Sequence, residues 1–98
     1  MMTKISCRII TSEFSTVVKD EVVSFFEKLD VSDLSFSDFE PYYKMDGYGE
    51  MNCTFFVGKK SLSLVQSQIA DDWQSETADI RRSRIYCPYV SFIWMTEI

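Results

Sequence analysis

Along this chain the spacing of apolar residues switches from two to between three and four and back again, twice, and that alternation limits the fold more than any single motif does. From Thr3 to Ile10, Ile5, Cys7 and Ile9 alternate with Lys4, Ser6 and Arg8, the pattern of a half-buried strand. Thr11 and Ser12 then offer N-caps, Glu13 stands in the first turn, and Phe14, Val18, Val22, Phe25 and Leu29 recur at helical spacing. The spacing predicts a helix from about Ser12 to Leu29. Leu34 to Met45 is rich in aromatics but contains Pro41, which cannot donate to a ladder, so it reads as an edge strand with room for a bulge. Asp46-Gly47 is a hairpin-turn signal, and Tyr48 to Val57 sets Met51, Cys53 and Phe55 against Glu50, Asn52 and Thr54. Ser61 is a candidate N-cap for a second helix with Leu62, Val65, Ile69 and Trp73 on one stripe, ending near Trp73. A polar loop from Gln74 to Arg84 leads to a last strand over Tyr89 to Met95, opened by Pro88.

The order βαββαβ is that of an α+β ferredoxin-like sandwich, a four-stranded antiparallel sheet with two helices on one face and the second and fourth strands at its edges. Both prolines then fall at edges. The whole chain, residues 1–98, fits one domain, and 46% apolar with 15% aromatic residues is enough to build a core. On the last strand Val90, Phe92 and Trp94 are expected to face the helices, because the opposite parity contains Ser91. Tyr89, Ile93 and Met95 would then form an exposed apolar strip in need of cover by the C-terminal residues, a second copy or a partner, the last two being preferred.

The chain has no histidine, which removes Ser-His and Cys-His nucleophile pairs and metal sites built on imidazole. No carboxylate spacing matches a calcium loop, so neither a metal nor another cofactor is implied. Cys7, Cys53 and Cys87 are far apart and lack C-x-x-C spacing; they read as reduced thiols packed in a core, consistent with a cytoplasmic protein without signal peptide or membrane span. Asp71 and Asp72, adjacent at a helix end, point about 100° apart and read as solvated charges. Gly47-Tyr48-Gly49 has the outline of an RNA-recognition signature, but Asp46, Glu50 and Asn52 occupy positions where basic or stacking residues are needed. With a net charge of −5, direct nucleic-acid binding is not expected.

Charge is the most informative feature. Between Asp30 and Glu50 lie six acids, Asp30, Asp33, Asp38, Glu40, Asp46 and Glu50, against Lys44 alone, leaving nine acids and nine bases elsewhere. The net charge thus sits on the helix-to-strand loop, the second strand and the hairpin. Tyr42, Tyr43 and Tyr48 share this stretch, and Tyr42 and Tyr43, as strand neighbours, should face opposite sides and leave at least one exposed. Carboxylates around amphipathic aromatics fit a partner-binding surface that steers a basic protein and then anchors it. The candidate surface is Asp33, Asp38, Glu40, Tyr42, Tyr43, Asp46, Tyr48 and Glu50.

A short, acidic, histidine-free chain with aromatics set among carboxylates resembles the immunity proteins that bacteria make against the toxins of contact-dependent inhibition and other polymorphic toxin systems. The resemblance is one of overall character across the chain and implies a non-enzymatic inhibitor. Such an inhibitor would bind a basic toxin domain, often a nuclease, and mask it sterically and electrostatically. A phage-type inhibitor of a nucleic-acid-binding defence complex would read the same way. The alternative is a small-molecule-binding or oligomerising regulatory domain, including a homodimer, since ferredoxin-like folds support many functions. A compact enzyme would have only carboxylates, tyrosines and thiols to work with.

Overall fold

The computed structural model describes residues 1–71, 73, 77–78 and 84–98. Its elements are β1 (Met2–Thr11), α1 (Thr16–Glu27), β2 (Ser32–Phe36), β3 (Glu40–Pro41), β4 (Gly49–Gly58), α2 (Leu62–Ile69), β5 (Thr77–Ala78) and β6 (Val90–Glu97), with a 3-10 turn, Lys59–Ser61, leading into α2. All strand pairs are antiparallel in one sheet ordered β2-β4-β1-β6-β5, with β3 also paired to β4. The fold is therefore α+β, two helices against an antiparallel sheet that does not close. Among the described residues no helix is long and apolar enough to cross a membrane.

The period-two patterns of β1 and β4 determine which face of the sheet is the core. Cys7 pairs with Cys53, Ile5 with Phe55 and Ile9 with Met51, and all six are buried. Val18, Val22 and Phe26 of α1 and Val65 and Ile69 of α2 close over this face. Each large side chain so buried stabilises the fold by roughly 1.5–3 kcal/mol, with Phe26 and Phe55 the largest.

The last strand departs from expectation. Ile93 pairs with Ile9 and Met95 with Cys7, and both are buried, whereas Phe92 and Trp94 lie opposite Ile10 and Arg8 on the other face. The cause is a bulge. Ile10 pairs with Phe92 but Thr11 with Val90, so Ser91 is the extra residue and parity reverses across it. Val90 does pack against the core, as its pattern suggested; Phe92 and Trp94, two and four residues further on, do not. Tyr89 immediately before the bulge has φ 68°, and its carbonyl accepts from Ser12 N at 2.7 Å. Nor is β6 an edge, because Thr77 and Ala78 of β5 pair with Trp94 and Ile93. The rest of the expected 74–84 loop, like Asp72, lies outside the described residues except for Arg84.

Both helices are shorter than their apolar stripes. The Ser15 hydroxyl accepts from Val18 N at 3.3 Å and caps α1, so the helix starts four residues later than Ser12. Helix α2 ends at Ile69 because Ala70 is extended and bridges to Ile85. Trp73, expected in that helix, instead donates from its indole Nε1 at 2.6 Å to the Gln66 carbonyl, which also accepts from Ala70 N at 3.0 Å. Ser61 makes no capping hydrogen bond, since it is the last residue of the 3-10 turn and has helical rather than extended backbone.

The expected second strand is split. β2 pairs with the middle and far end of β4, Phe36 with Cys53 and Ser32 with Phe56, while β3 pairs Glu40 with Glu50 and Pro41 with Gly49. Ser37 bridges the gap, donating from its N–H to Asn52 O at 2.8 Å while its hydroxyl accepts from Asn52 N at 2.8 Å. A side chain at Gly49 would require its neighbours to move, because a Cβ there would lie 2.5 Å from the Phe39 ring and 2.7 Å from Thr11 Oγ1.

Candidate protein-binding surface

The β3–β4 connection places the acidic segment beside the sheet face that the helices leave open. Pro41 and Gly49 close the ladder, and Tyr42 N donates to Tyr48 O at 2.8 Å. The turn then tightens through Met45 N to Tyr42 O and Tyr48 N to Met45 O, with Gly47 at φ 80° as the turn signal requires. Tyr42 and Tyr43 thus lie in a turn rather than on a strand, yet they diverge: Tyr42 is 8% exposed and Tyr43 77%. Exposure of one tyrosine was expected. Tyr42 is the buried member of the pair, its ring lying over β1 on the face that carries Arg8.

That ring meets a cation. Arg8 of β1 projects from the open face with its guanidinium 5.8 Å from the Tyr42 ring and 5.4 Å from the Trp94 ring. Its Nε donates to Glu50 Oε2 at 2.6 Å. The hydrogen bond to Glu50 holds the guanidinium pKa above its ordinary value, against a smaller opposing effect of lost hydration. With side chains 38% and 23% exposed, the pair stabilises the fold by no more than about 1 kcal/mol, and its larger effect is to fix a geometry. Phe92 lies beside Trp94, centroids 6.0 Å apart and rings within 10° of parallel, extending a planar apolar shelf along β6.

On the other flank of Glu50 lies a cleft of about 290 Å³ lined by Ser37, Asp38, Glu40, Glu50 and Asn52. Three of the eight expected site residues therefore converge, Asp38, Glu40 and Glu50. Tyr43 and Asp46 are exposed on the adjoining turn, where Lys44 sits 5.5 Å from the Tyr43 ring, and Tyr48 is half-buried at the turn's end. Asp33 is not part of the group. It is exposed, with φ 54°, near Ser32, whose partner Phe56 lies six residues along β4 from Glu50, roughly 20 Å away.

Sequence reasoning missed Arg8, Phe92 and Trp94. Arg8 was legible in principle, since it has the outward parity on its strand that Glu50 has on its own, and only the register was lacking to bring them together. Among the described residues no three carboxylates or thiols stand close enough to hold a metal ion. No known protein family, curated protein or solved structure matches this chain.

Proposed function

We propose that this chain is an inhibitory binding protein, not an enzyme, that neutralises a basic protein partner inside the cell. The partner we favour is a cognate toxin domain of nuclease type, masked sterically and electrostatically. The carrying observation is the juxtaposition at Glu50. On one side stand Arg8, Tyr42 and Trp94, the three residue types most often found at energetic centres of interfaces, held in place by one another. On the other side Asp38 and Glu40, which have no ion-pair partner among the described residues, supply negative charge to draw a basic surface in. A preformed anchor needs little side-chain ordering on binding, which favours affinity. The domain carrying it reads as ferredoxin-like if β2 and β3 are taken as one interrupted edge strand and β5 as an addition beyond the fourth strand.

The test uses the product of the gene adjacent to its own. Co-expression should relieve that product's toxicity and yield a stoichiometric complex. Asp38→Lys with Glu40→Lys should slow association at least about tenfold at low salt while leaving the thermal transition nearly unchanged. An adjacent product that is neither toxic nor bound would overturn the inhibitory reading, and a reversed variant that associates at the wild-type rate at low salt would remove the acidic cleft from the interface.

A further inference from the structure

Two of the three cysteines meet at the centre of the sheet. Cys7 and Cys53 are directly opposite on β1 and β4, both point into the core, and both are free. Backbone direction specifies the kind of pair they form. Asn52 exchanges hydrogen bonds with Ser37 on the outer side of β4, and Lys4 O accepts from Ile98 N on the β6 side of β1. Because successive residues of a strand direct their N–H and C=O to opposite sides, those of Cys53 and Cys7 face each other. This is a hydrogen-bonded pair with Cα atoms about 5.5 Å apart. That separation is the commonest one in disulfides, whereas the Cβ atoms of such a pair, about 5 Å apart, stand wider than the roughly 3.8 Å a relaxed disulfide adopts.

We infer that Cys7 and Cys53 form a reversible intrachain disulfide across the centre of the sheet, a modification site for a low-molecular-weight disulfide such as oxidised glutathione. One thiolate attacks the oxidant and releases one glutathione thiol; the second attacks the mixed disulfide and releases the other. Two cysteine thiols are thereby oxidised, one glutathione disulfide is reduced to two thiols, and the two protons given up by the cysteines end on those glutathione thiols. Burial makes the first attack slow, since it waits on opening of the β1–β4 pair, and the mismatch in Cβ spacing leaves a strained bond that thiols reduce readily. Cys87 takes no part, being buried elsewhere in the core with its Sγ near the Pro88 carbonyl at 3.8 Å. Arg8 follows Cys7, and Asn52 precedes Cys53, so closure acts on the two strands that hold Arg8 and Glu50 together.

The experiment equilibrates the purified chain for a day in glutathione buffers of increasing oxidised fraction, then quenches with acid and maps thiols by mass spectrometry. The expected product is a monomer 2 Da lighter with one alkylatable thiol, Cys87, and a peptide joining Cys7 to Cys53. Dithiothreitol should reverse it within minutes in urea and over the day's equilibration in buffer, and Cys7→Ala or Cys53→Ala should abolish it. To remove slow access as an explanation for failure, the same equilibration starts from urea-unfolded protein diluted into the buffers. If the refolded chain then keeps three thiols at every ratio, holds glutathione only as mixed disulfides, or links through Cys87, the inference is wrong.

Discussion

Gly49→Ala tests whether the acidic hairpin is as tightly seated as its geometry states. The new Cβ would lie 2.5 Å from Cε1 and Cζ of Phe39 and 2.7 Å from Thr11 Oγ1. The two neighbours differ in freedom. Phe39 is half-buried and packs on Phe14, with ring centroids 4.9 Å apart, so it can swing outward. Thr11 is fully buried and its hydroxyl donates to Glu13 O at 2.7 Å, so moving it sacrifices a buried hydrogen bond of about 1 kcal/mol. Displacing the ring adds an overpacking cost of about 1–2 kcal/mol, giving about 2–3 kcal/mol in all. Urea unfolding followed by fluorescence reads this directly, and a second variant separates the terms. In a Phe39→Ala background the ring clash is gone, and Gly49→Ala should cost only about 1 kcal/mol, a coupling of about 1–2 kcal/mol. A Gly49→Ala variant within 0.5 kcal/mol of wild type, or one whose cost is the same with and without Phe39, would refute the packing described for this corner.

Other outcomes follow from the thiols. Cys7 and Cys53 should resist a bulky thiol reagent for minutes in the native state and react at once in urea; the Cys7 contact and burial both push the Cys53 thiol well above its ordinary range, and Cys53→Ser should destabilise by roughly 1–3 kcal/mol. Burial, and more weakly the charge of Glu21, push the Cys87 thiol from 9.0 up to about 12. The unfolded chain therefore loses this proton first, so the contribution is complete below pH 9.0 and is lost progressively as pH rises towards 12. Wild type should accordingly lose about 2 kcal/mol more than Cys87→Ala between about pH 8.5 and 10.5. Equal losses in the two proteins would show that the thiol is hydrated.

Where one face of a strand is polar, the sequence alone sufficed to orient it. Lys4, Ser6 and Arg8 on β1 and Glu50, Asn52 and Thr54 on β4 can face only outward, which put Ile5, Cys7, Met51 and Cys53 in the core, where they are. β6 has apolar residues on both sides, so parity depended on Ser91, and Ser91 is the bulged residue itself. Ile93 and Met95 fit the interior, while Trp94 serves better outside, where its face meets the Arg8 guanidinium. The helix boundaries depended on which of several hydroxyls would cap, a choice that Ser15 won by reaching Val18 N. The acidic segment was visible as composition, but its division was not. Only the pairing of Glu40 with Glu50, and of Ser32 with Phe56, separates the carboxylates that line one cleft from Asp33 at the other end of the edge.

The interruption between β2 and β3 also bears on how this protein can be kept at high concentration. An uninterrupted outer strand from Ser32 to Pro41 would present a row of free amides and carbonyls on which another chain could grow as a fibril. Here the left-handed turn at Asp33, the side-chain contact of Ser37 and the missing N–H of Pro41 break that row into pieces too short to template a neighbour, and Asp38 and Glu40 charge what is left. The irregular flank that holds the cleft therefore also opposes edge-to-edge pairing, and Asp33→Val with Pro41→Val, which removes two of the interruptions, is expected to aggregate faster than wild type when followed by thioflavin fluorescence.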